Sequence, residues 1–302
     1  MTTVLVFGAT GDQGLPLMRA LTAQGFRVRA ATRQPDAFPR DPFPHVEIVG
    51  AAFEDVASLT KACAGADAIA MNLPFSFDRA YARMMGENIC AAARAAGSVR
   101  KIVFNTSCVI APTDIGLAAH DGRRDIEAAM AASGLAWASI RSVVFMDNIL
   151  RPWVKPAILS HGVFAYPARD DLKINFVCLD DVAAYMAAAV AEPRVTAHAF
   201  AIGGPEALTG HDAAARLSVA LNRPIRFQSL KPAEFARGMA KLITGSDHVE
   251  PNSMWSRVAQ FYAWYNDQPQ SPLEVDLRPA LALLPVQPTP MLVWAKRQDW
   301  SA

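Results

Sequence analysis

The sequence predicts an α/β fold: a doubly wound parallel sheet with a smaller, mainly helical C-terminal lobe. Within residues 1–150, apolar segments rich in β-forming residues alternate with segments of helical periodicity. A cluster of glycines directly follows the first apolar segment. Such alternation is typical of parallel sheets that carry helices on both faces. With 302 residues, 52% of them hydrophobic, the chain can form one large domain, or a medium one with a smaller partner.

Seven segments have the composition and length of strands. They are residues 4–7, 26–31, 46–49, 67–71, 101–105, 137–145 and 198–202. A helix is predicted directly after the glycine cluster, and another begins at the N-cap residue Asp78 and ends before Gly97. Further helices are predicted at residues 56–64, 123–132 and 180–191. Strands and helices thus follow one another as a parallel sheet requires.

The alternation ends near residue 150, which indicates a change of architecture. Three prolines interrupt the segment that follows, and helical spacing dominates beyond Gly204. We therefore expect a main domain made of residues 1–150 and 174–203, and a small lobe made of 151–173 and 204–302. In the lobe, apolar and aromatic residues at helical spacing from Met254 to Tyr265 are expected to be core. The proline-rich tail at 269–290 is expected to be extended.

Charge, cysteine and histidine patterns exclude several classes of protein. Lys and Arg number 29 against 28 Asp and Glu, so the chain lacks the positive charge that a nucleic-acid partner requires. The four cysteines form no C-x-x-C pair, and the six histidines follow no metal-binding pattern. No uncharged apolar run reaches the roughly 18 residues of a membrane helix. We expect a soluble cytoplasmic protein without nucleic-acid, membrane or metal partners.

The segment Gly8-Ala9-Thr10-Gly11-Asp12-Gln13-Gly14 predicts a diphosphate-binding turn. It joins the first strand to the first helix, and this context distinguishes it from a chance match. A diphosphate at a helix N-terminus needs free N–H groups and no side chain in the way, which glycines provide. The cofactor-binding residues expected in this turn are Gly8, Thr10, Gly11, Asp12, Gln13 and Gly14.

Arg33, at the end of the second strand, indicates which dinucleotide is bound. An acidic residue there would hydrogen-bond the ribose of NAD, whereas a basic one would accept the 2′-phosphate of NADP. No acidic residue occurs between Arg33 and Asp36, and a guanidinium matches a phosphate in bidentate geometry. The sequence therefore favours NADP(H).

The usual general acid of carbonyl-reducing enzymes with such a domain is missing. That acid is a tyrosine followed four residues later by a lysine, whose ammonium lowers the pKa of the phenol. None of the five tyrosines has a lysine at this spacing. Carbonyl reduction and sugar-nucleotide epimerisation by that pair are therefore disfavoured.

The glycine turn, Arg33 and Asn105-Thr106-Ser107 occur together with two further runs, residues 121–127 and 140–148. In these features the chain resembles the NmrA-like family of atypical short-chain dehydrogenase/reductases, over roughly residues 3–240. The resemblance implies a Rossmann sheet with a small C-terminal substrate lobe. It also implies one of two functions, because members include NADPH-dependent reductases of quinones or enones and NADP-sensing regulators without turnover.

The resemblance further implies where catalysis takes place. The family's run at 121–127 usually carries a lysine followed by a glutamate, and here Arg123 stands in place of the lysine while Glu127 keeps the glutamate position. Arginine can bind ribose or substrate oxygen, but it cannot deliver a proton at neutral pH. We therefore expect His120, in a loop, to donate the proton, and Ser107 to orient a carbonyl oxygen. A structural role is the alternative for both residues.

Residues at the strand ends complete the predicted site. Asn72, Leu73 and Pro74 follow the fourth strand and are expected to contact the nicotinamide half of the cofactor. Asn105 and Thr106, after the fifth strand, are also expected to bind the cofactor, and Arg123 is expected to bind ribose or substrate oxygen. Candidates for an apolar substrate pocket, each of which could equally be plain core, are Phe75, Phe145, Asn148, Trp153 and Phe164.

The leading hypothesis is an NADPH-dependent oxidoreductase that reduces a small conjugated carbonyl compound, enone or quinone by hydride transfer. Its NADP-binding Rossmann domain would be residues 1–150 and 174–203. The competing hypothesis is a non-catalytic NADP(H)-binding redox sensor that regulates a partner protein. The missing tyrosine–lysine pair and Arg123 favour this second hypothesis. The oligomeric state stays open, with a homodimer as one alternative.

Overall fold

The computed structural model describes residues 1–301 and divides them into two compact units. The first unit consists of Met1–Ser142, Leu179–Ile202 and Leu277–Gln287, and the second of Val143–Cys178, Gly203–Asp276 and the chain from Pro288 onward. These boundaries differ from the expected ones around residue 150, because the strand that ends the first segment stops at Ser142. The segment Leu277–Gln287 also belongs to the first unit instead of the small lobe.

A seven-stranded parallel sheet forms the centre of the first unit. Its strands are β1 (Thr3–Phe7), β2 (Arg27–Thr32), β3 (Glu47–Gly50), β4 (Ala68–Asn72), β5 (Lys101–Asn105), β6 (Ala136–Ser142) and β8 (Ala197–Ile202). They lie in the order β3-β2-β1-β4-β5-β6-β8, and every neighbouring pair is parallel. The predicted doubly wound Rossmann-like sheet is confirmed. Because all strands run the same way, their carboxyl ends meet at one edge of the sheet.

Helices cover this sheet as the alternation predicts. They are α1 (Gly14–Ala23), α2 (Val56–Cys63), α3 (Arg79–Ala96), α4 (Ala118–Ala132), α6 (Leu179–Ala191) and the short α10 (Arg278–Leu283). A cluster of buried apolar residues joins one face of β1, β4 and β5 to apolar residues of α2, α3 and α4. Side chains of a strand alternate between its two faces, so Val4 and Val6 point to the opposite face. Both valines are fully buried, so this face is covered as well.

Helix caps and one lysine fix where these elements begin and end. The Asp78 carboxylate accepts the Tyr81 N–H as the predicted N-cap of α3, and Gly97 adopts the left-handed conformation at the other end. At the start of β5, the Lys101 ammonium donates to the carbonyl oxygens of Ala189 and Glu192 at distances of 3.1 and 2.6 Å. This ion stabilises the negative end of α6 and ties it to the sheet.

The second unit is built around a small sheet and an aromatic core. Strands β7 (Val163–Tyr166) and β9 (Arg226–Ser229) pair in parallel. The helices are α5 (Lys155–His161), α7 (Gly210–Leu221), α8 (Pro232–Thr244), α9 (Met254–Asp267) and α11 (Met291–Arg297). This unit is mainly helical, as expected, but neither of its strands was predicted from the sequence. A pair of four-residue strands offers little periodicity to detect.

Four local expectations are wrong. The sixth strand ends at Ser142 and not at residue 145, since Phe145 forms an isolated bridge with Val177 instead. The segment before Arg123 is helical, so α4 begins at Ala118. The tail at 269–290 contains α10, with Pro279 in its first turn, where proline is tolerated. Met254 is 53% exposed and lies outside the core, although Tyr265 of the same helix is buried.

No helix within residues 1–301 is both long enough and apolar enough to cross a membrane.

The turn between β1 and α1 depends on close backbone contacts. Gly8 has a φ of +71°, and a Cβ atom there would lie 2.0 Å from the carbonyl oxygen of Asn72 at the end of β4. A Cβ on Gly14 would lie 2.1 Å from the carbonyl oxygen of Gly8. The turn closes through a hydrogen bond of 3.1 Å from the Gly11 N–H to the Gly8 oxygen. Only glycine fits at positions 8 and 14.

Gly8→Ala is expected to lower the free energy of unfolding by roughly 3 kcal/mol or more, because strain at positive φ adds to the collision with Asn72. Gly25→Ala is the control, since Gly25 also has a positive φ, of +80°, but has no atom within 4 Å of an added Cβ. The control should lose only about 1 kcal/mol. Urea denaturation of both variants measures the difference, and equal losses would contradict the close contact.

Candidate functional site

One cavity of the first unit brings together most of the residues predicted to bind the cofactor. Its volume is about 460 Å³. It lies at the carboxyl ends of β1, β2, β3 and β4, where parallel sheets place their ligands. The predicted residues that line it are Gly8, Thr10, Gly11, Asp12, Gln13, Arg33, Asn72, Leu73 and Pro74. Phe75, predicted for the substrate pocket, lines it too.

The cavity also has lining residues that the sequence reading did not assign to the site. They are Phe7, Ala31, Thr32, Gln34, Ala51 and Phe53. Thr32 ends β2, and Ala51 and Phe53 follow β3. Their position after parallel strands was a usable signal, but these small or apolar side chains carry no chemistry that singles them out.

The first turn of α1 presents its positive end to this cavity. No side chain caps the helix start at Gln13, and the first turn contains no acidic residue. The Gly14 and Leu15 N–H groups donate to the Gly11 carbonyl oxygen, while the partial positive charge of the helix N-terminus still favours an anion. Arg33 is exposed at another part of the same cavity. The cavity therefore has two separate positions suited to phosphate groups.

A hydrogen-bonded amide network connects the glycine turn to β4 and β5. The Oε1 atom of Gln13 accepts from Asn105 Nδ2 at 2.6 Å and from Ser107 Oγ at 2.9 Å. Asn105 Nδ2 also donates to Asn72 Oδ1 at 3.0 Å, and its own Oδ1 accepts from Ser142 Oγ at 3.2 Å. Because the Gln13 oxygen holds two donors, its amide N–H groups are the ones left to bind a ligand in the cavity.

Ser107 and Thr106 have a backbone conformation and hydrogen bonds that the sequence does not reveal. Ser107 adopts a φ of 59°, a conformation uncommon for a residue other than glycine, and donates its N–H to Asn105 Oδ1 at 3.0 Å. Thr106 is fully buried, and its hydroxyl donates to the carbonyl oxygen of Cys108 at 2.5 Å. Thr106 therefore shapes the turn after β5, while Ser107 acts on the cavity through Gln13.

His120 lies in the first turn of α4, not in a loop, and is 0% exposed. Burial lowers the pKa of its imidazole from 6.5 to about 4, although a hydrogen bond with the Val109 backbone and the charge of Asp121 oppose the shift. The ring is therefore neutral at pH 7. A neutral, buried imidazole is a poor proton donor, which favours the structural alternative for this residue.

Arg123 is also buried, at 2% exposure, and does not line the cavity. Its Nη2 atom donates to the carbonyl oxygens of Leu73 and Pro74 at 3.2 and 3.0 Å. Glu127, the carboxylate expected to accompany it, instead accepts two hydrogen bonds from Arg141, at 2.9 and 2.6 Å. Arg123 thus contacts two residues of the cavity wall without lining the cavity itself. It has no carboxylate partner among residues 1–301.

The five residues predicted for a substrate pocket fall in different units. Phe75 belongs to the first unit, and Phe145, Asn148, Trp153 and Phe164 belong to the second. Phe164 is 0% exposed and packs against the rings of Tyr166 and Phe227, so it is core of the second unit. Asn148 hydrogen-bonds the hydroxyl of Tyr166.

Within residues 1–301, no group of three or more His, Cys, Asp or Glu side chains is placed to hold a metal ion.

Comparisons with known proteins agree with this geometry. The model of the NmrA-like family matches residues 1–291. The (4-alkanoyl-5-oxo-2,5-dihydrofuran-3-yl)methyl phosphate reductase of Streptomyces griseus is 35% identical over 231 residues, which are 75% of this chain and 77% of that protein. Quinone oxidoreductase 2 of Escherichia coli is 28% identical over 256 residues, 81% of this chain and 86% of that protein.

A solved structure has the same fold. The NADPH-dependent quinone oxidoreductase of Escherichia coli, crystallised with NADPH, superposes with a TM-score of 0.79 at 23% identity. The superposition covers 97% of this chain and 98% of that one.

Stability should fall with acid because of His120. The folded state disfavours the charged imidazole, so between pH 6.5 and about 4 the unfolded chain binds a proton that the folded chain does not. The free energy of unfolding should therefore drop by roughly 2 kcal/mol more between pH 7 and pH 5 than it does in His120→Gln. His45→Gln, at an exposed histidine, is the control and should keep the wild-type slope. Denaturant titrations at several pH values measure the free energy of unfolding. If it changes equally with pH in all three proteins, the predicted effect of burying His120 is contradicted.

Proposed function

This chain belongs to the NmrA-like family, and from that premise we propose that it is an NADPH-dependent oxidoreductase that reduces a small conjugated carbonyl compound by hydride transfer. The observation that carries the proposal is the single cavity in which a glycine turn, an uncapped helix start and Arg33 converge. The relatives named above are reductases, and their sequence similarity extends over three quarters of the chain or more.

The residues present fit a bound NADP(H). The diphosphate would lie at the start of α1, because Gly8 and Gly11 put no side chain in its way there. The 2′-phosphate would be bound by Arg33, whose guanidinium offers two parallel donors. The amide groups of Gln13 and Asn72 would contact the polar edge of the nicotinamide half. When bound in its reduced form, the cofactor supplies the hydride.

The environments of His120, Ser107 and Arg123 do not suit these side chains to donating the final proton. His120 is neutral at pH 7, and the Ser107 hydroxyl donates a hydrogen bond to Gln13 Oε1. Burial lowers the pKa of Arg123 only to about 10, so its guanidinium stays charged at pH 7. We therefore assign the final proton to water, and treat Ser107 as a positioning residue and His120 as a structural one.

The names of the relatives support the substrate class. One relative reduces an acylated dihydrofuranone phosphate, and another acts on quinones. Both names describe carbon–oxygen double bonds conjugated to carbon–carbon double bonds. Hydride transfer to such an acceptor yields an anion spread over several atoms, which needs little acid assistance. A flat, conjugated carbonyl compound is therefore the proposed substrate.

Turnover separates this proposal from a redox sensor. We expect the purified protein to oxidise NADPH when a conjugated acceptor is added, measured as the loss of absorbance at the wavelength of reduced nicotinamide. The panel should contain quinones, cyclic enones and acylated dihydrofuranones. Tight NADPH binding by calorimetry without oxidation of NADPH by any of them would favour the sensor.

Cofactor choice depends on Arg33. Arg33→Ala should raise the KM for NADPH by about 10- to 100-fold, the range expected for one charge-assisted hydrogen-bonded contact, with little change for NADH. Arg40→Ala, at an exposed arginine that does not line the cavity, is the control and should change neither constant. Steady-state kinetics with both cofactors measure the effect. An equal rise in the KM for NADPH and for NADH would show that Arg33 does not bind the 2′-phosphate.

A further inference from the structure

Arg123 is a buried cation whose surroundings satisfy it only in part. Its guanidinium carbon lies 5.2 Å from the ring centroid of Phe75 and 5.5 Å from that of Phe104. Aromatic rings attract a cation, but they replace only part of the hydration that burial removes. The Arg123 Nη1 atom is buried and has no hydrogen-bond partner among residues 1–301. A buried donor without a partner calls for an explanation, and a ligand that accepts this hydrogen bond would provide one.

Among residues 1–301, no carboxylate forms an ion pair with this guanidinium. The pKa of Arg123 is influenced electrostatically by the thiol of Cys108. Burial raises the pKa of that thiol to about 12, so it is neutral at pH 7. Glu127, on the same helix as Arg123, is engaged by Arg141. The guanidinium is therefore available to an oxygen that carries or develops negative charge.

Phe75 connects this donor to the cavity. Its ring packs on the guanidinium, its side chain lines the cavity, and the residue is 39% exposed. Rotation of an exposed side chain is fast and needs no change in the main chain. The Nη2 atom meanwhile keeps Leu73 and Pro74 in place. Turning the Phe75 ring aside would therefore uncover Nη1 without disturbing the cavity wall.

We propose that Nη1 of Arg123 binds the acceptor oxygen of the substrate once Phe75 turns aside, and that it stabilises the negative charge that develops there when an α,β-unsaturated carbonyl compound is reduced. This inference rests on the proposed reductase function. In the reaction, a C–H bond of the reduced nicotinamide breaks and a C–H bond forms at the β-carbon. The electron pair of the double bond moves to give an enolate, with its charge on the oxygen beside Arg123, and the nicotinamide is left oxidised. Water then protonates the α-carbon, leaving hydroxide.

The geometry explains why arginine suits this position. One nitrogen holds two consecutive carbonyl groups of the wall while the other stays available to the ligand. The ammonium of lysine is a single point charge on a flexible stem and cannot divide these tasks between two fixed nitrogens. Positive charge fixed before the reaction is most effective where charge develops in the transition state.

The first experiment compares two acceptors that differ in how much they need anion stabilisation. For Arg123→Met, kcat/KM with cyclohex-2-enone should fall about 100-fold, as for the loss of one oxyanion donor. With 1,4-naphthoquinone the loss should stay below about tenfold, because the anion formed is intrinsically stable. Arg123→Lys, which keeps the charge and guards against a folding defect, should lie between wild type and Arg123→Met with the enone. Equal losses with both acceptors would overturn the inference.

Cofactor affinity gives a readout that does not depend on activity. The calorimetric Kd of NADP⁺ should change by less than about threefold in Arg123→Lys, because the ammonium can still donate to the carbonyl oxygens of the wall while the Nη1 donor is lost. A loss of more than about tenfold would instead make Arg123 a cofactor-binding or wall-positioning residue and overturn the inference.

Chemical labelling tests the cover formed by Phe75. Phenylglyoxal modifies accessible arginines, and peptide mass mapping identifies which ones react. We expect Arg123 to be protected in the wild-type protein and in Phe75→Trp, and to be labelled in Phe75→Ala. If Arg123 is protected from phenylglyoxal equally well in Phe75→Ala and in the wild type, Phe75 does not cover it. That result would overturn the inference.

The outcomes distinguish the two proposals. Wild-type protein that binds NADP⁺ but reduces neither of these acceptors nor any other acceptor of the panel overturns both the proposed function and this inference. Wild-type protein that reduces both acceptors, with Arg123→Met impaired equally on each, overturns this inference alone.

Discussion

The contact between Gly8 and the backbone of Asn72 is the constraint on which the candidate site depends. Without a Cβ at position 8, the end of β1 can approach the end of β4 so closely that any side chain would collide with the Asn72 carbonyl. That approach brings Gln13 within hydrogen-bond distance of Asn72 and Asn105. The glycine turn therefore does more than clear space for a phosphate. It joins two strands, a helix start and an amide network into one rigid edge, from which the cavity is built.

The amide network and the buried arginine show two different ways to place polar groups at such an edge. In the network, the oxygen of Gln13 and both polar ends of Asn105 are hydrogen-bonded, so the group is stable as it stands and holds its members in one orientation. Arg123 is the opposite case, with one nitrogen engaged and another left unsatisfied in an apolar setting. An arrangement that costs stability and lies beside a cavity is more readily explained by binding than by folding.

The sequence predicts the first unit far better than the second, for physical reasons. Alternating strands and helices, the caps of α3 and the glycine turn are local patterns. Nine of the residues predicted to bind the cofactor line one cavity because parallel strands end at one edge. The burial of His120 and Arg123 is a tertiary property that no local pattern contains. Likewise, β7 pairs with β9 across a long stretch of sequence, and each strand is too short to show a periodicity from which it could be predicted. The motif at residues 121–127 points to Arg123, but only the buried surroundings of this side chain indicate which atom is available to a ligand.

The interrupted path of the chain through the first unit has a consequence for its biogenesis. Strand β8 and helix α6 are synthesised only after Val143–Cys178, which belongs to the other unit. Until then a nascent chain would present β6 as an open edge, with unpaired N–H and C=O groups free to pair with another polypeptide. A fragment truncated at Ser142 would keep that exposed edge permanently. The two units are therefore poor candidates for separate expression, and the ribosome must deliver most of this polypeptide before either can be complete.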